Sequence, residues 1–197
     1  MFGESMTKRS TLGRREFFTF SATALTLAAA ASVVSTPVLA APAVVTKPNP
    51  LIKTLSMINM NTGESGTYTY AENGAVDPSA LEKINFLLRD SHNGETHDIS
   101  VDLLNLLVSL RQKLNTSVAY QVVCGYRSQE TNEELAAHTR GVAKNSYHMD
   151  GMAIDLRVPG RNLRQVRDAA VRMSQGGVGF YPRSNFVHVD VGPVRRW

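Results

Sequence analysis

The sequence has one cysteine, little net charge and no recognisable cofactor-binding loop, and each shortage excludes a class of protein. A lone Cys124 excludes an internal disulfide, and its place in the apolar run Val122-Val123-Cys124 favours a small buried side chain over a nucleophile. The formal net charge is +4 for the full chain and +2 without the first 40 residues, which is too weak to indicate nucleic-acid binding, because that needs a concentrated basic face. We therefore expect no nucleic-acid partner, and we look for chemistry outside Cys124.

Long apolar runs are confined to the N-terminus. A basic segment that ends in Arg14-Arg15 precedes a mildly apolar, Ala-rich stretch from Phe17 to Val34, and small residues at Val38-Leu39-Ala40 suit a cleavage site. This pattern predicts a twin-arginine export signal over residues 1–40, and hence a periplasmic or envelope location with membrane contact only through the signal. The alternative is an uncleaved anchor, because about eighteen apolar residues can just span a bilayer.

Cutting after Ala40 removes 40 of the 197 residues and leaves 157, a suitable size for one domain. The removed part holds four of the 21 basic and two of the 17 acidic residues, so the remainder carries a net charge of +2. Residues 41–50 are Pro-rich and predict an extended linker, and residues 51–197 form the predicted domain. We expect this domain to act as a monomer.

The domain alternates predicted strands and helices. Asp77-Pro78 predicts a helix start with an N-cap followed by proline, and Val118–Val123 predicts a short strand. The other predicted elements are a hairpin over 51–70, helices over about 101–114, 128–138 and 162–173, and strands over 151–158, 177–181 and 186–191. The predicted class is α+β, with a small antiparallel sheet that carries the site on one face and helices on the other.

The most informative feature is a pair of motifs that contain histidine and aspartate. His148 and Asp155 lie seven residues apart, and His188 follows near the C-terminus. Two imidazoles and one carboxylate suit a single Zn²⁺ ion. Three protein ligands leave the fourth tetrahedral position to water, which distinguishes a catalytic zinc site from a structural one. Alternatively, His148 could cap a turn, and Asp155 could be a carboxylate at a strand edge that accepts a backbone hydrogen bond.

Strand periodicity supports the clustering. On a strand over 151–158, Asp155 shares a face with two small residues, whereas Ile154 points to the opposite, apolar face. His188 and Asp190 share one face of the last strand by the same rule. Asp190 then has two candidate roles: a general base for the metal-bound water, which we prefer, or an acceptor that fixes a histidine tautomer.

Arg127 is the remaining candidate. It follows a strand through Gly125-Tyr126, a turn that favours a fixed and accessible position. A guanidinium near the metal could stabilise charge that develops on a substrate carbonyl, and a surface ion pair is the alternative.

Three ordered motifs resemble a known group of enzymes. Ser146-x-His148-x-x-Gly151-x-Ala153-x-Asp155 resembles the first zinc motif of LAS-type peptidases, which share a fold with D-Ala-D-Ala carboxypeptidases and hedgehog domains. With the Cys124–Ser128 turn and the Phe186–Gly192 segment, the chain resembles their YcbK-like (MepK) murein endopeptidase branch from about residue 50 to Trp197. The carboxypeptidases carry a glutamate three residues before the last histidine, where this sequence has Asn185.

The resemblance implies one Zn²⁺ held by His148, Asp155 and His188, with Arg127 binding the substrate or the transition state. It implies hydrolysis of peptide cross-links in peptidoglycan, so stem peptides are the expected partner. Because Asn185 cannot supply the base, Asp190 is the nearest substitute. Three alternatives remain. The first is a non-catalytic zinc-bearing module that binds murein peptides, and the second is a carboxypeptidase that trims stem peptides. A purely structural metal is a third.

Overall fold

A computed structural model describes residues 51–139 and 143–197, and it contains one mixed sheet with four helices. The export signal and the linker predicted over residues 1–50 lie outside the described residues. The eight strands are β1 (Ile52–Asn59), β2 (Ser65–Glu72), β3 (Ala75–Val76), β4 (Tyr120–Cys124), β5 (Ala153–Arg157), β6 (Gly177–Tyr181), β7 (Phe186–Asp190) and β8 (Arg195–Arg196). The helices are α1 (Pro78–Leu87), α2 (Val101–Lys113), α3 (Gln129–His138) and α4 (Leu163–Met173).

The strands lie in the order β3-β2-β1-β4-β5-β7-β6-β8. Within β4-β5-β7-β6 every neighbouring pair is antiparallel, as the sequence predicted for the strands that carry the site. The prediction of a small, wholly antiparallel sheet is wrong for the rest, because β1 pairs with β4 and β6 pairs with β8 in parallel. The chain returns to β1 only after a hairpin and two helices, a connection long enough to bring β4 back in the same direction.

Helices α1, α2 and α4 cover one face of the sheet, where α1 packs on β2, α2 on β1 and α4 on β6 and β7. Local signals fix their starts. The Asp77 side chain accepts from the Ser79 N–H ahead of Pro78, as predicted, and Asn162 forms a reciprocal capping box with Gln165. The leucines on the buried face of α2 meet the inward side chains of the strands in one core.

The two faces of the site strands differ in chemistry. Ile154 and Leu156 of β5, with Val187 and Val189 of β7, are buried in the core under the helices. Asp155 and the polar residues of β7 alternate with them and project from the opposite face. The sheet therefore separates an apolar layer from a polar one, as the strand periodicity predicted. Among the described residues, no helix is both long enough and apolar enough to cross a membrane.

Candidate metal centre

The site is built on a row of residues that crosses four strands. Cys124 is opposite Asp155, Asp155 is opposite His188, and His188 is opposite Gly179 in the register of β4, β5, β7 and β6. Residues that face each other across a sheet project from the same side. The register alone therefore brings Asp155 and His188 together, although they are 33 positions apart in the chain.

His148 reaches this row from the turn that precedes β5. Its Nδ1 is 2.7 Å from the Gly125 carbonyl oxygen, and the Arg127 N–H donates to the His148 carbonyl oxygen at 3.2 Å. Gly151 closes the turn with a φ of +63°, and a Cβ there would lie 2.2 Å from the Asp98 carbonyl oxygen. Only glycine suits both the left-handed backbone and this close approach, which explains the fixed position of His148.

Three donor atoms converge at the floor of the site. His148 Nε2 is 3.1 Å from His188 Nδ1, His188 Nδ1 is 2.9 Å from Asp155 Oδ1, and His148 Nε2 is 3.3 Å from Asp155 Oδ1. Zinc–nitrogen and zinc–oxygen bonds of about 2.0–2.1 Å place neighbouring tetrahedral ligands roughly 3.3 Å apart. The spacing of the three atoms therefore fits one small divalent ion, and the structure brings together all three predicted ligands.

The outer hydrogen bonds of the two rings orient their lone pairs. The Gly125 carbonyl can only accept, so His148 Nδ1 donates to it and Nε2 is the nitrogen that faces Asp155. On the other ring, His188 Nε2 lies 3.0 Å from Asp190 Oδ2, and Nδ1 faces the same point as His148 Nε2. In each histidine the outer nitrogen is held by a hydrogen bond and the inner nitrogen is directed at the centre of the triangle, as in metal ligands.

Cys124 forms a second set of candidate ligand atoms with His148 and Asp155, and these atoms lie within 4.8 Å of one another. The set that contains His188 is tighter, because none of its three separations exceeds 3.3 Å. The Cys124 Sγ also accepts from Arg127 Nη2 at 3.4 Å. The two histidines and the aspartate are thus the more closely spaced of the two candidate sets.

The electrostatics of the floor favour an ionised carboxylate. Burial by itself raises the pKa of Asp155, but the charges and hydrogen bonds of the His148 and His188 rings hold this pKa well below its usual range. These contacts favour an anionic Asp155 in a buried position. A buried anion flanked by two imidazoles is an environment that attracts a cation.

Asp190 lies on the far side of the His188 ring from this centre. Its side chain is fully buried, and five donors surround its two oxygens. The donors are the Gly177 N–H at 3.1 Å, the Gly192 N–H at 2.8 Å, His188 Nε2 at 3.0 Å, and Arg195 Nη1 and Nη2 at 3.0 and 2.8 Å. Burial raises the pKa of Asp190, but the hydrogen bonds from His188, Arg195 and Gly192 lower it well below its usual range.

Arg127 lines the same groove as the three donor atoms. Its guanidinium contacts Asn132 Oδ1 at 3.3 Å and Cys124 Sγ, and among the described residues it forms no ion pair with a carboxylate. The groove has a volume of about 1100 Å³. Its lining includes residues from both sides of β5 and β7 in the strand order, with Asn59 on β1 and Tyr181 on β6.

Two residues of the site escaped the sequence analysis. Arg195 binds Asp190 with both terminal nitrogens, and the Trp197 ring lies 5.3 Å from the His188 ring. The glycines of β6 could have indicated from the sequence that another group packs closely against this strand. Glycine inside a strand often marks the close approach of another group, and a Cβ on Gly179 would meet the Trp197 ring at 2.8 Å.

A groove with two histidines and an aspartate converging on its floor is an arrangement typical of metal-dependent hydrolases. Comparison with known proteins identifies the kind. The profile of a peptidase family described as peptidoglycan L,D-endopeptidase MepK matches residues 47–197, and the chain belongs to this family.

Curated relatives agree with the family assignment. A Haemophilus influenzae protein described as "Probable peptidoglycan L,D-endopeptidase MepK" is 42% identical over 158 residues, which cover 79% of this chain and 83% of that protein. The peptidoglycan L,D-endopeptidase MepK of Escherichia coli is 41% identical over 160 residues, or 81% of this chain and 88% of its own. The MepK protein of Shigella flexneri matches to the same extent. The predicted resemblance and the predicted peptidase activity are thereby confirmed.

Proposed function

We propose that this chain is a Zn²⁺-dependent endopeptidase that hydrolyses an L,D peptide bond in the cross-links of peptidoglycan. The observation that carries the proposal is the convergence of His148 Nε2, Asp155 Oδ1 and His188 Nδ1 in an open groove. The type of bond and the polymer are taken from the relatives, which are named as peptidoglycan L,D-endopeptidases. The donor set supports zinc, because two imidazoles with one carboxylate form a typical three-ligand catalytic site.

Zinc at this position would lower the pKa of a bound water to about 7 and polarise the scissile carbonyl. The chain supplies the remaining requirements. His148 and His188 are each locked by a hydrogen bond on the outer nitrogen, so the ligand geometry is set before substrate enters. Arg127 provides a cation without a carboxylate partner among the described residues, and it is placed to bind a substrate carboxylate or the developing oxyanion.

For Asp190 we propose the orienting role, the second of the two that the sequence allowed. A carboxylate has about four lone-pair positions, and the five donors around Asp190 use them all. A general base also works best with a pKa near the working pH, whereas the pKa of Asp190 is held low. These contacts support an Asp190 that holds the His188 ring and takes no proton from water.

The shape of the groove supports an endopeptidase over the carboxypeptidase alternative. A cross-linked substrate extends on both sides of the bond that is cut, so its site must accommodate chain on both sides. The groove here is lined by residues from β1 to β6, with β4, β5 and β7 between them. Acidic groups of the stem peptides would meet the Arg127 cation along this path.

The test uses the full chain loaded with zinc and purified muropeptide dimers and monomers, with products analysed by mass spectrometry. The expected result is conversion of dimers to monomers, abolished in the matched variant Asp155→Ala. Dimers that stay intact while monomers lose a terminal residue would establish a carboxypeptidase. Binding of both substrates without any cleavage would establish a murein-peptide-binding module with an idle metal.

We also propose that residues 1–40 act as a twin-arginine export signal ahead of a linker over 41–50, which would deliver a monomeric enzyme to the envelope. Supporting this proposal, the relatives are named for action on a polymer of the cell wall. Replacing Arg14 and Arg15 together by lysine should retain the protein in the cytoplasm, whereas Arg9→Lys should not. Cell fractionation distinguishes the two outcomes, and export of the double variant would refute the twin-arginine route.

A further inference from the structure

The C-terminal segment folds back over the edge of the candidate metal centre. Strand β8 pairs in parallel with β6, and the ladder continues because the Phe180 N–H donates to the Trp197 carbonyl at 3.0 Å. The Trp197 N–H donates to the Val178 carbonyl at 3.2 Å. The backbone of the last residues is therefore held by the sheet and can place side chains accurately.

From this position Arg195 forms a bidentate ion pair with Asp190. Its two terminal nitrogens contact the two carboxylate oxygens at 3.0 and 2.8 Å, and Nη1 also donates to the Pro193 carbonyl oxygen at 3.1 Å. A two-pronged arginine–carboxylate pair fixes the plane of the carboxylate as well as its charge. Asp190 Oδ2, held in this plane, meets His188 Nε2 at 3.0 Å.

Aromatic rings hold the guanidinium in place. Its central carbon lies 5.1 Å from the Tyr147 ring centre and 5.0 Å from that of Trp197, distances at which a cation is attracted to a ring face. Tyr147 directly precedes His148, and the Trp197 ring lies 5.3 Å from the His188 ring. Trp197 is itself held by Tyr181, whose hydroxyl oxygen accepts from the indole Nε1 at 2.7 Å. Arg195 therefore contacts the surroundings of both histidines.

The backbone of neighbouring segments leaves room for these groups. A Cβ on Gly177 would lie 2.3 Å from Asp190 Oδ2 and 2.6 Å from Arg195 Nη1, and a Cβ on Gly192 would lie 2.4 Å from the Tyr147 ring. No side chain fits at either position without moving the arginine, its carboxylate or the ring. The space around Arg195 is thus specific to this arrangement.

We propose that Arg195 is a positioning residue that acts through Asp190 to hold the His188 ring with Nδ1 directed at the metal centre. The inference rests on the metal site of the proposed function, but it concerns ion binding and can be tested without hydrolysis. Arg195 touches neither the three donor atoms nor the reacting bond. Without it, the buried Asp190 would lose its charged partner and its fixed plane, and the His188 ring would lose its orientation.

The test compares Arg195→Ala and Arg195→Lys with Arg196→Ala. Arg196 has the same charge and the same strand, but alternation turns it to the opposite face, where it lines a separate hollow with Arg167 and Phe180. The affinity for Zn²⁺ is measured by competition with a chelator, and the absorption spectrum of the Co²⁺-loaded protein reports the ligand geometry. Thermal unfolding monitored by circular dichroism confirms that each variant is folded.

Arg195→Ala should bind Zn²⁺ about 10 to 100 times more weakly, the range for loss of an outer-shell partner, and should change the Co²⁺ spectrum. Arg195→Lys should recover part of the affinity, because an ammonium supplies the charge without the two-pronged geometry. Free guanidinium ion, at concentrations far below those that denature proteins, should restore binding to Arg195→Ala. Arg196→Ala should match the wild type.

Wild-type affinity and an unchanged Co²⁺ spectrum in Arg195→Ala would overturn the proposal. If Arg195→Ala fails to fold, Arg195→Lys provides the test. Wild-type affinity for Zn²⁺ in Arg195→Lys would show that the bidentate geometry of the arginine is unimportant. A wild-type protein that binds zinc tightly but cleaves no muropeptide would refute the proposed function and leave the role of Arg195 open to the same measurement.

Discussion

Asp155 and His188 lie directly opposite each other on β5 and β7, with Asp155 Oδ1 2.9 Å from His188 Nδ1. This pairing is a property of the sheet register, and a slip of one residue in either strand would send one side chain to the opposite face. The metal centre is thus as rigid as the antiparallel ladder that carries it. His148 completes it from a turn anchored on the Gly125 carbonyl oxygen.

Removal of a predicted ligand should weaken metal binding strongly. His188→Ala should weaken Zn²⁺ binding by more than about a hundredfold, beyond the range for outer-shell partners, because one of three donors is lost. Cys124→Ala should keep the ion, since its sulfur lies beside the tighter triangle of donors. Metal content after dialysis, measured by plasma mass spectrometry, gives the answer. Equal loss of zinc in both variants would place Cys124 among the ligands.

Asp190→Asn separates an orienting residue from a general base. If Asp190 orients His188, its replacement should lower both the metal affinity and the rate of muropeptide hydrolysis, each by roughly 10 to 100 times. A general base would instead lose turnover while zinc stayed bound. Chelator competition and single-turnover hydrolysis on the same preparation distinguish the two results. Asp150→Asn is the companion variant, because Asp150 is an exposed carboxylate that lines the same groove.

Arg127→Ala should reduce hydrolysis by about 10² to 10³ times, the range for removing one donor that stabilises an oxyanion, with zinc affinity unchanged. The rate of hydrolysis by Arg127→Lys should be intermediate, because lysine keeps the charge and lacks the planar guanidinium group. The matched control is Arg164→Ala, an exposed arginine of α4 beyond the helical face of the sheet. A loss of zinc in Arg127→Ala, or a wild-type rate, would contradict a role in substrate binding.

The carboxylate of Asp90, which contacts the start of α3, should make the free energy of unfolding depend on pH. Burial raises its pKa, but the N–H groups of His92 and Ser128, with the hydroxyls of Thr131 and Ser128, bring the pKa below its usual value. A lowered folded pKa means that the stabilisation is complete above the unfolded value of about 3.9 and is lost as the pH falls through the folded value.

Asp90→Asn should therefore lower the free energy of unfolding by about 1.5 to 3 kcal/mol at neutral pH, the usual contribution of hydrogen bonds to a charged group. The difference between wild type and variant should shrink below a pH of about 3.9. Urea titrations at several pH values measure it, with the exposed Glu82→Gln as control. A difference that stays constant into acid would show that the charge of Asp90 contributes nothing.

The sequence predicted the residues of the site better than their roles. The small residues Gly151 and Ala153 around Asp155, and the alternation of His188 with valines, revealed which side chains share a face. Asp190 obeyed the same periodicity, yet its role depends on Arg195, whose side chain arrives from β8. Strands as short as β3 and β8 have too few residues for a periodic pattern, so neither could be predicted.

By itself, the sequence determined the predicted ligands, the strand faces that carry them and the helix starts at Asp77 and Asn162, because local periodicity and capping chemistry need no distant partner. Only the tertiary structure decided the order and direction of the eight strands, the close approach of the donor atoms of His148, Asp155 and His188, and the contacts of Arg195 with Asp190. These depend on contacts between segments far apart in the chain. Such contacts are fixed by sheet register and by the space that glycines leave, and neither can be read from neighbouring residues.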